Sequence, residues 1–97
     1  MNHRSEALRQ SANGEACVNC GTCDGSVVWA HSNESMHGKG ASIKAHDLLG
    51  NYLCANCHHA YDAGRTNRQW CRDMFREWYP KTMVRVAELL AAGKLKL

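Results

Sequence analysis

Leu53-Cys54-Ala55-Asn56-Cys57-His58-His59-Ala60-Tyr61-Asp62-Ala63-Gly64-Arg65 is the stretch from which the fold of this 97-residue chain is read. Cys54 and Cys57 have the two-residue gap that lets two thiolates of one tight turn grip a tetrahedral zinc, and a second such pair stands upstream at Cys17 and Cys20. Four soft ligands imply a structural metal. His58 and Asp62 follow four positions apart, so a helix starting there projects an imidazole and a carboxylate from one face. That pair is a second candidate metal site, with Gly64 and Arg65 ending the helix.

A chain this short buries too little apolar surface to be comfortable without a staple, and six cysteines supply one. Three disulfides would serve in a secreted protein, but Met1 to Gly14 is polar and carries no apolar h-region. A reduced, cytoplasmic, zinc-bound chain is therefore expected. No apolar run approaches the roughly 20 residues needed to cross a bilayer, so no membrane partner is expected. The net charge of +3 is unevenly spread. Residues 1–62 carry four basic and six acidic side chains, and residues 63–97 carry eight and three, giving −2 against +5. The basic half suits a polyanion such as nucleic acid, although a solvated helix surface has the same composition.

The chain reads as one domain over 1–97, with a tail or short helix over 1–14, a zinc core over 15–66 and helices over 67–97. Ser5 is placed to cap a helix from Glu6 to Ala12, stopped by Asn13-Gly14. Cys17-Val18-Asn19-Cys20-Gly21 has the form of a zinc knuckle, because glycine after the second cysteine lets backbone amides turn toward the sulfurs. Cys23 continues the same spacing. Two of Cys17, Cys20 and Cys23 can therefore join Cys54 and Cys57, and spacing favours Cys17 with Cys20. Val27 to His31 is β-rich and follows an Asp24-Gly25 turn, which predicts a strand with Val27, Trp29 and His31 on one face. A histidine ending a strand before a polar loop can be held rigidly and stay reachable, and the alternative is a surface histidine that merely follows the strand. Ser32 to His46 is rich in glycine, serine and asparagine and carries Lys39 and Lys44. It reads as a flexible connector, with phosphate wrapping by amides and lysines as the alternative. Leu48 to Leu53 supplies the second strand, making a β-hairpin followed by the cysteine-led helix.

Asn67 can cap a further helix to about Tyr79, with Trp70, Cys71, Met74 and Trp78 on its apolar face and Arg65, Arg68, Arg72 and Arg76 opposite. Arginines at helical spacing form either a solvated face or a track for nucleic-acid phosphates. Cys71, on the apolar side, reads as core. Pro80 suits the first position of a separate final helix, ended by Gly93 and packed through Met83, Val86, Ala87 and Leu90.

Taken together, Cys17, Ala30-His31, Gly38-Lys39-Gly40, Lys44 with Asp47-Leu48, Cys54-x-x-Cys57-His58 and Asp62 with Arg65 resemble the HNH, or ββα-metal, nucleases built on a treble-clef zinc scaffold. The resemblance is strongest to the small YbcO-like prophage nucleases and covers roughly residues 7–66. It implies a small α+β zinc-stapled domain with a ββα-metal core, a β-hairpin and additional C-terminal helices. It implies DNA as substrate, in phage or prophage recombination or DNA processing within a bacterial host cell. Position by position, it makes His31 the general base and His58, with Asp62, the holder of a catalytic Mg²⁺ or other divalent ion. Asp47 stands near the family's middle asparagine and would hold the base or its loop. These roles are chemically sound: imidazole accepts a proton near cellular pH, and a divalent ion neutralises a leaving 3′ oxygen.

Asp62 also reads as a partner of Arg65 at the helix end. The sequence departs from the family at Ala30, where a metal ligand often stands, and His37 and His46 are the nearby substitutes. The YbcO-like pattern pairs Cys17 with a cysteine farther along than Cys20, which supports Cys23, so the choice between Cys20 and Cys23 stays open. The alternative function is a non-catalytic zinc-stabilised module that binds DNA or protein.

Overall fold

Residues 5–33 and 46–97 are described by the computed structural model of the chain. Lys39, Lys44, His37, His3 and the Gly38-Lys39-Gly40 loop lie outside the described residues. Ser5 caps α1 (Glu6–Ser11), its hydroxyl accepting the Leu8 amide at 3.2 Å and so satisfying an orphan donor of the first turn. Six residues of helix do not persist alone in water, and α1 is kept by tertiary packing of Leu8, which is buried in the core.

β1 (Val28–His31) and β2 (Gly50–Leu53) pair antiparallel, with Val28 opposite Leu53, Trp29 opposite Tyr52, Ala30 opposite Asn51 and His31 opposite Gly50. A two-stranded hairpin is marginal on its own. Here all four residues of β2 are buried, α1 packs on β1, and α3 packs on β2. Burial of side chains such as Leu53 contributes about 1.5–3 kcal/mol each. Because the hairpin is covered on both faces, Ala30 is buried along with its neighbour Trp29, and the expected alternation survives only at Val27, Val28 and Trp29. Trp29 and Tyr52 meet edge to face at 5.2 Å. That packing dictates the glycine opposite His31, since a Cβ at Gly50 would lie 2.5 Å from Trp29 Nε1. The second strand starts at Gly50 rather than at Leu48. The Leu49 amide donates to the His46 carbonyl at 2.9 Å, closing a turn that holds Asp47 and Leu48 out of the ladder.

α2 (Ala55–Ala63) begins immediately after Cys54, earlier than a start at His58, and carries Cys57, His58 and Asp62 together. It ends at Gly64, as the sequence implies, but for a steric reason. The φ of Gly64 is −86°, and a Cβ there would fall 2.5 Å from Trp70 Cζ3.

Where the sequence predicts two C-terminal helices divided at Pro80, the structure has one, α3 (Arg68–Ala91). Asn67 caps it as expected, accepting the Trp70 amide at 3.0 Å. An interior proline deletes the bond to the carbonyl four residues back and costs about 3 kcal/mol. Two circumstances absorb that cost. Pro80 and Arg76 lie on the exposed side, where water can take the freed Arg76 carbonyl. On either side of the proline, α3 is tied down by side-chain hydrogen bonds from Trp78 Nε1 to Asn19 Oδ1 (3.1 Å), Tyr79 Oη to the Leu48 carbonyl (2.7 Å) and Thr82 Oγ1 to Asn51 Oδ1 (2.7 Å). Continuity also resets the packing stripe. Cys71, Phe75, Trp78, Thr82, Val86 and Leu89 are buried, whereas Ala87 and Leu90 are exposed and Trp70, Met74 and Met83 are half-buried. Gly93, at φ +72°, closes the helix in a Schellman motif: the Lys94 amide reaches the Leu89 carbonyl and that of Gly93 the Leu90 carbonyl, which turns Leu95 into the core.

The result is a small α+β fold in which a hairpin is sandwiched by helices. Among the described residues no helix is long and apolar enough to cross a membrane.

Candidate functional site

Two local turns bring the cysteine pairs together. In the first, the Gly21 amide donates to the Cys17 carbonyl at 2.9 Å and the Cys17 amide to the Thr22 carbonyl at 2.8 Å, with Gly21 at φ +79° as a tight knuckle requires. The Val18 amide then donates to the Tyr52 carbonyl at 2.9 Å, docking the knuckle beside the end of β2, where Cys54 leads into α2. One sulfur each from Cys17, Cys20, Cys54 and Cys57 lies within 4.8 Å of all the others, and those of Cys20 and Cys54 are 3.7 Å apart. Tetrahedral zinc with Zn–S bonds of about 2.3 Å separates its sulfurs by roughly 3.8 Å, so the cluster fits the ion.

Two of the thiols are driven in opposite directions. Hydrogen bonds from the Thr22 hydroxyl and amide pull Cys20 down to about 6, while burial pushes Cys57 up to about 12. As thiolates, four sulfurs this close would need a cation among them. Of the two candidates left open, Cys20 is the one that stands in the cluster. Cys23 stands outside the cluster, its sulfur against the Gly14 carbonyl at 3.4 Å, because the Thr22 contact has already turned the chain back toward Cys17. Cys71 is core, as expected. One supporting residue carried no signal of its own in the sequence: Asn19, inside the knuckle, donates from Nδ2 to Cys57 Sγ (3.2 Å) and accepts from Trp78 Nε1, joining the cysteine cluster to α3.

A second arrangement forms at the far end of the hairpin. Asp47 sits in the turn before β2 and is fully buried, its main-chain carbonyl taking a hydrogen bond from Trp29 Nε1 at 2.6 Å. Its carboxylate faces His31 across the strand pair, with Oδ1 2.6 Å from His31 Nε2. The other oxygen accepts the Ser5 amide at the start of α1 and lies 3.9 Å from Arg9 Nε. An ionised carboxylate only accepts, so in the neutral imidazole this contact puts the ring proton on Nε2 and leaves Nδ1 without one. The His31 side chain retains 17% of its exposure, enough to be reached from solvent.

On α2, His58 Nε2 and Asp62 Oδ2 are 3.2 Å apart, the i,i+4 neighbours that the spacing predicts. Two ligands of one ion at right angles, each about 2.1 Å from it, are separated by roughly 3.0 Å, so the pair fits a shared divalent ion as well as a direct ion pair. Asn33 Nδ2 donates to Asp62 Oδ1 at 3.3 Å, and the Asn33 amide donates to Tyr61 Oη at 3.1 Å, which ties the residue after β1 to α2. Arg65 reaches the main-chain carbonyl of Asp62, not its carboxylate, at 3.0 Å.

His31, His58 and Asp62 line one open cleft of about 540 Å³, with Arg9, Val28, Trp29, Ser32 and Asn33. The cleft thus gathers the base candidate and the metal-holding candidates, with Asp47 buried behind the base. Arg65, Arg68, Arg72 and Arg76 are not among the residues lining it; Arg65, Arg68 and Arg76 are exposed elsewhere and Arg72 is half-buried. His46 contributes a carbonyl to the turn and does not line the cleft among the described residues. Arg9 and Asn33 were not singled out by sequence. The retrievable signals were Arg9 one turn after the Ser5 cap and Asn33 two residues after His31.

Comparisons with protein-family models, with curated proteins and with solved structures found no match.

Proposed function

We propose that this chain is a metal-dependent HNH-type endonuclease that hydrolyses phosphodiester bonds in DNA, on a treble-clef, ββα-metal scaffold of the YbcO-like kind. The observation that carries the reading is the convergence of the Asp47-held His31 and the His58–Asp62 pair on a single cleft. The sequence resemblance to prophage nucleases supports a place in phage or prophage DNA processing. The four-cysteine cluster would hold a structural zinc that joins the knuckle to the start of α2.

In this reading His31 Nδ1 removes a proton from a water molecule aimed at phosphorus. The water oxygen forms the new P–O bond, the bond to the 3′ oxygen breaks, and the departing oxygen is protonated from solvent. Asp47 keeps the proton on Nε2 and stabilises the imidazolium as it forms, as the carboxylate of a catalytic triad does. His58 and Asp62 would hold a divalent cation, which when bound supplies charge neutralisation at the phosphate and the leaving oxygen. Incubation of supercoiled plasmid with the zinc-loaded protein and Mg²⁺ or Mn²⁺ tests this: nicking by wild type, lost in His31→Ala, is expected. Equal background nicking by the two proteins would remove the catalytic claim.

A binding module without catalysis is favoured by one feature. Ala30 is buried in the core, so the position where HNH proteins often carry a further ligand offers none, and the pair on α2 holds its ion with few protein groups. That reading predicts salt-sensitive DNA binding that survives His31→Ala and weakens in Arg68→Ala/Arg72→Ala; unchanged affinity in the double variant would exclude the arginine track.

A further inference from the structure

We propose that Arg9, on the N-terminal helix, is the anion-binding residue of the cleft and seats a backbone phosphate of the nucleic acid beside His31 and His58. The inference deepens the nuclease reading and rests on it for the identity of the ligand. The starting point is location: among the described residues that line the cleft, Arg9 is the one arginine or lysine, and it shares that lining with both imidazoles. The arginines on and just before α3 do not reach this space.

The second observation is how Arg9 is held. α1 is a short helix, yet the amide of its cap residue Ser5 donates to Asp47 Oδ2, and Arg9 Nε lies 3.9 Å from the same oxygen. One buried carboxylate therefore bonds the start of the helix and, through Oδ1, the His31 imidazole, and it lies beside the arginine one turn later. A guanidinium carries five N–H donors in a planar fork that matches two oxygens of a phosphate. A contact at 3.9 Å to Asp47 orients that fork without consuming it, and the Arg9 side chain keeps 44% of its exposure. Among the described residues, the Asp62 carboxylate also lines the cleft and is 48% exposed, but it is paired with His58 and Asn33, and Asp47 is buried behind His31, so Arg9 is the cation that the cleft offers to an anion. Arg9 would thus supply binding and orientation, while proton transfer stays with His31.

The test compares wild type, Arg9→Gln, Arg9→Lys and His31→Ala, all zinc-loaded, in three assays: binding of a fluorescent duplex oligonucleotide across a salt series, imidazole NMR shifts on adding inorganic phosphate, and plasmid nicking. Arg9→Gln is expected to weaken oligonucleotide binding by roughly tenfold or more and to lower the slope of log K against log salt by about one, whereas His31→Ala is expected to keep the wild-type salt slope while losing nicking. Arg9→Lys, which keeps the charge but not the fork, is expected to restore the slope and only part of the affinity. If wild type does not cut DNA but phosphate still moves the His31 and His58 signals, and Arg9→Gln abolishes that response, the anion site stands and the nuclease reading falls. If Arg9→Gln, with an unchanged melting temperature, binds with the wild-type slope and nicks at the wild-type rate, the anion site is refuted and the nuclease reading is untouched. Should Arg9→Gln fail to fold, Arg9→Lys with a wild-type affinity would refute the role of the fork.

Discussion

Replacing Asp47 separates its structural work from its chemical work. The carboxylate is fully buried and its oxygens meet the Ser5 amide and His31 Nε2. Hydrogen bonds to a charged group contribute about 1.5–3 kcal/mol each, so two give roughly 3–6 kcal/mol gross. Removing a buried charge returns part of its desolvation cost, which brings the expected loss in Asp47→Ala to about 3 kcal/mol. That is a large share of the roughly 5–15 kcal/mol that holds a domain together and corresponds to a melting shift on the order of 15 °C. Asp47→Asn keeps an oxygen for the Ser5 amide and should cost only about 1 kcal/mol, since one charge-assisted bond becomes neutral. Its new N–H, however, would face His31 Nε2, driving the imidazole proton to Nδ1 and removing the base from the cleft. Nicking should then fall by roughly 10²–10⁴-fold with the fold intact. Urea unfolding at fixed excess zinc reads the first effect and plasmid nicking the second. An Asp47→Ala variant within about 0.5 kcal/mol of wild type, the range of an ordinary surface change, would refute the buried network. An Asp47→Asn variant with the wild-type rate would refute the tautomer argument.

Other consequences are as direct. Cys20→Ser should reduce bound zinc measured by mass spectrometry, while Cys23→Ser should leave it at the wild-type level, because the Cys20 sulfur belongs to the cluster and that of Cys23 does not. Gly64→Ala should destabilise by about 1–3 kcal/mol in denaturant titration, since the new methyl must displace the Trp70 ring it would otherwise meet at 2.5 Å. Burial raises the phenol of Tyr52 above its ordinary value of about 10, with the Ser11 hydroxyl opposing the shift. A raised folded value means that its contribution is intact below about pH 10 and lost as pH rises through the folded value; unfolding free energy should drop there, and less steeply in Tyr52→Phe.

Much of this was legible because metal ligation and capping are local chemistry. The Cys-x-x-Cys spacings, the Ser5 and Asn67 caps and the His58/Asp62 helix pair each depend on residues close in the chain, and each is present. The hairpin followed by a helix was equally readable from β-rich segments and the cysteine turn. What escaped depended on distant partners. Pro80 reads as a break because the tethers of Trp78 and Thr82 to Asn19 and Asn51 come from chain far upstream, and without them the local penalty decides. The packing stripe beyond Pro80 went astray with it, since its phase follows from an unbroken helix. Arg9 was missed for a related reason: the capped helix is legible, but its place beside the cleft depends on Asp47, 42 residues from Ser5, accepting the Ser5 amide. Cys20 and Cys23 were separable only once the Thr22 contact fixed the direction of the knuckle.

The central claim is that one ion fixes the fold through four sulfurs and a second, exchangeable ion sits on His58 and Asp62 in the cleft. Native mass spectrometry of wild type and His58→Ala, dialysed against zinc and then titrated with Mn²⁺, measures both at once. The expected spectra show one zinc retained by each protein and one additional Mn²⁺ on wild type alone. A wild-type chain without zinc, or a second ion that persists in His58→Ala, would contradict it.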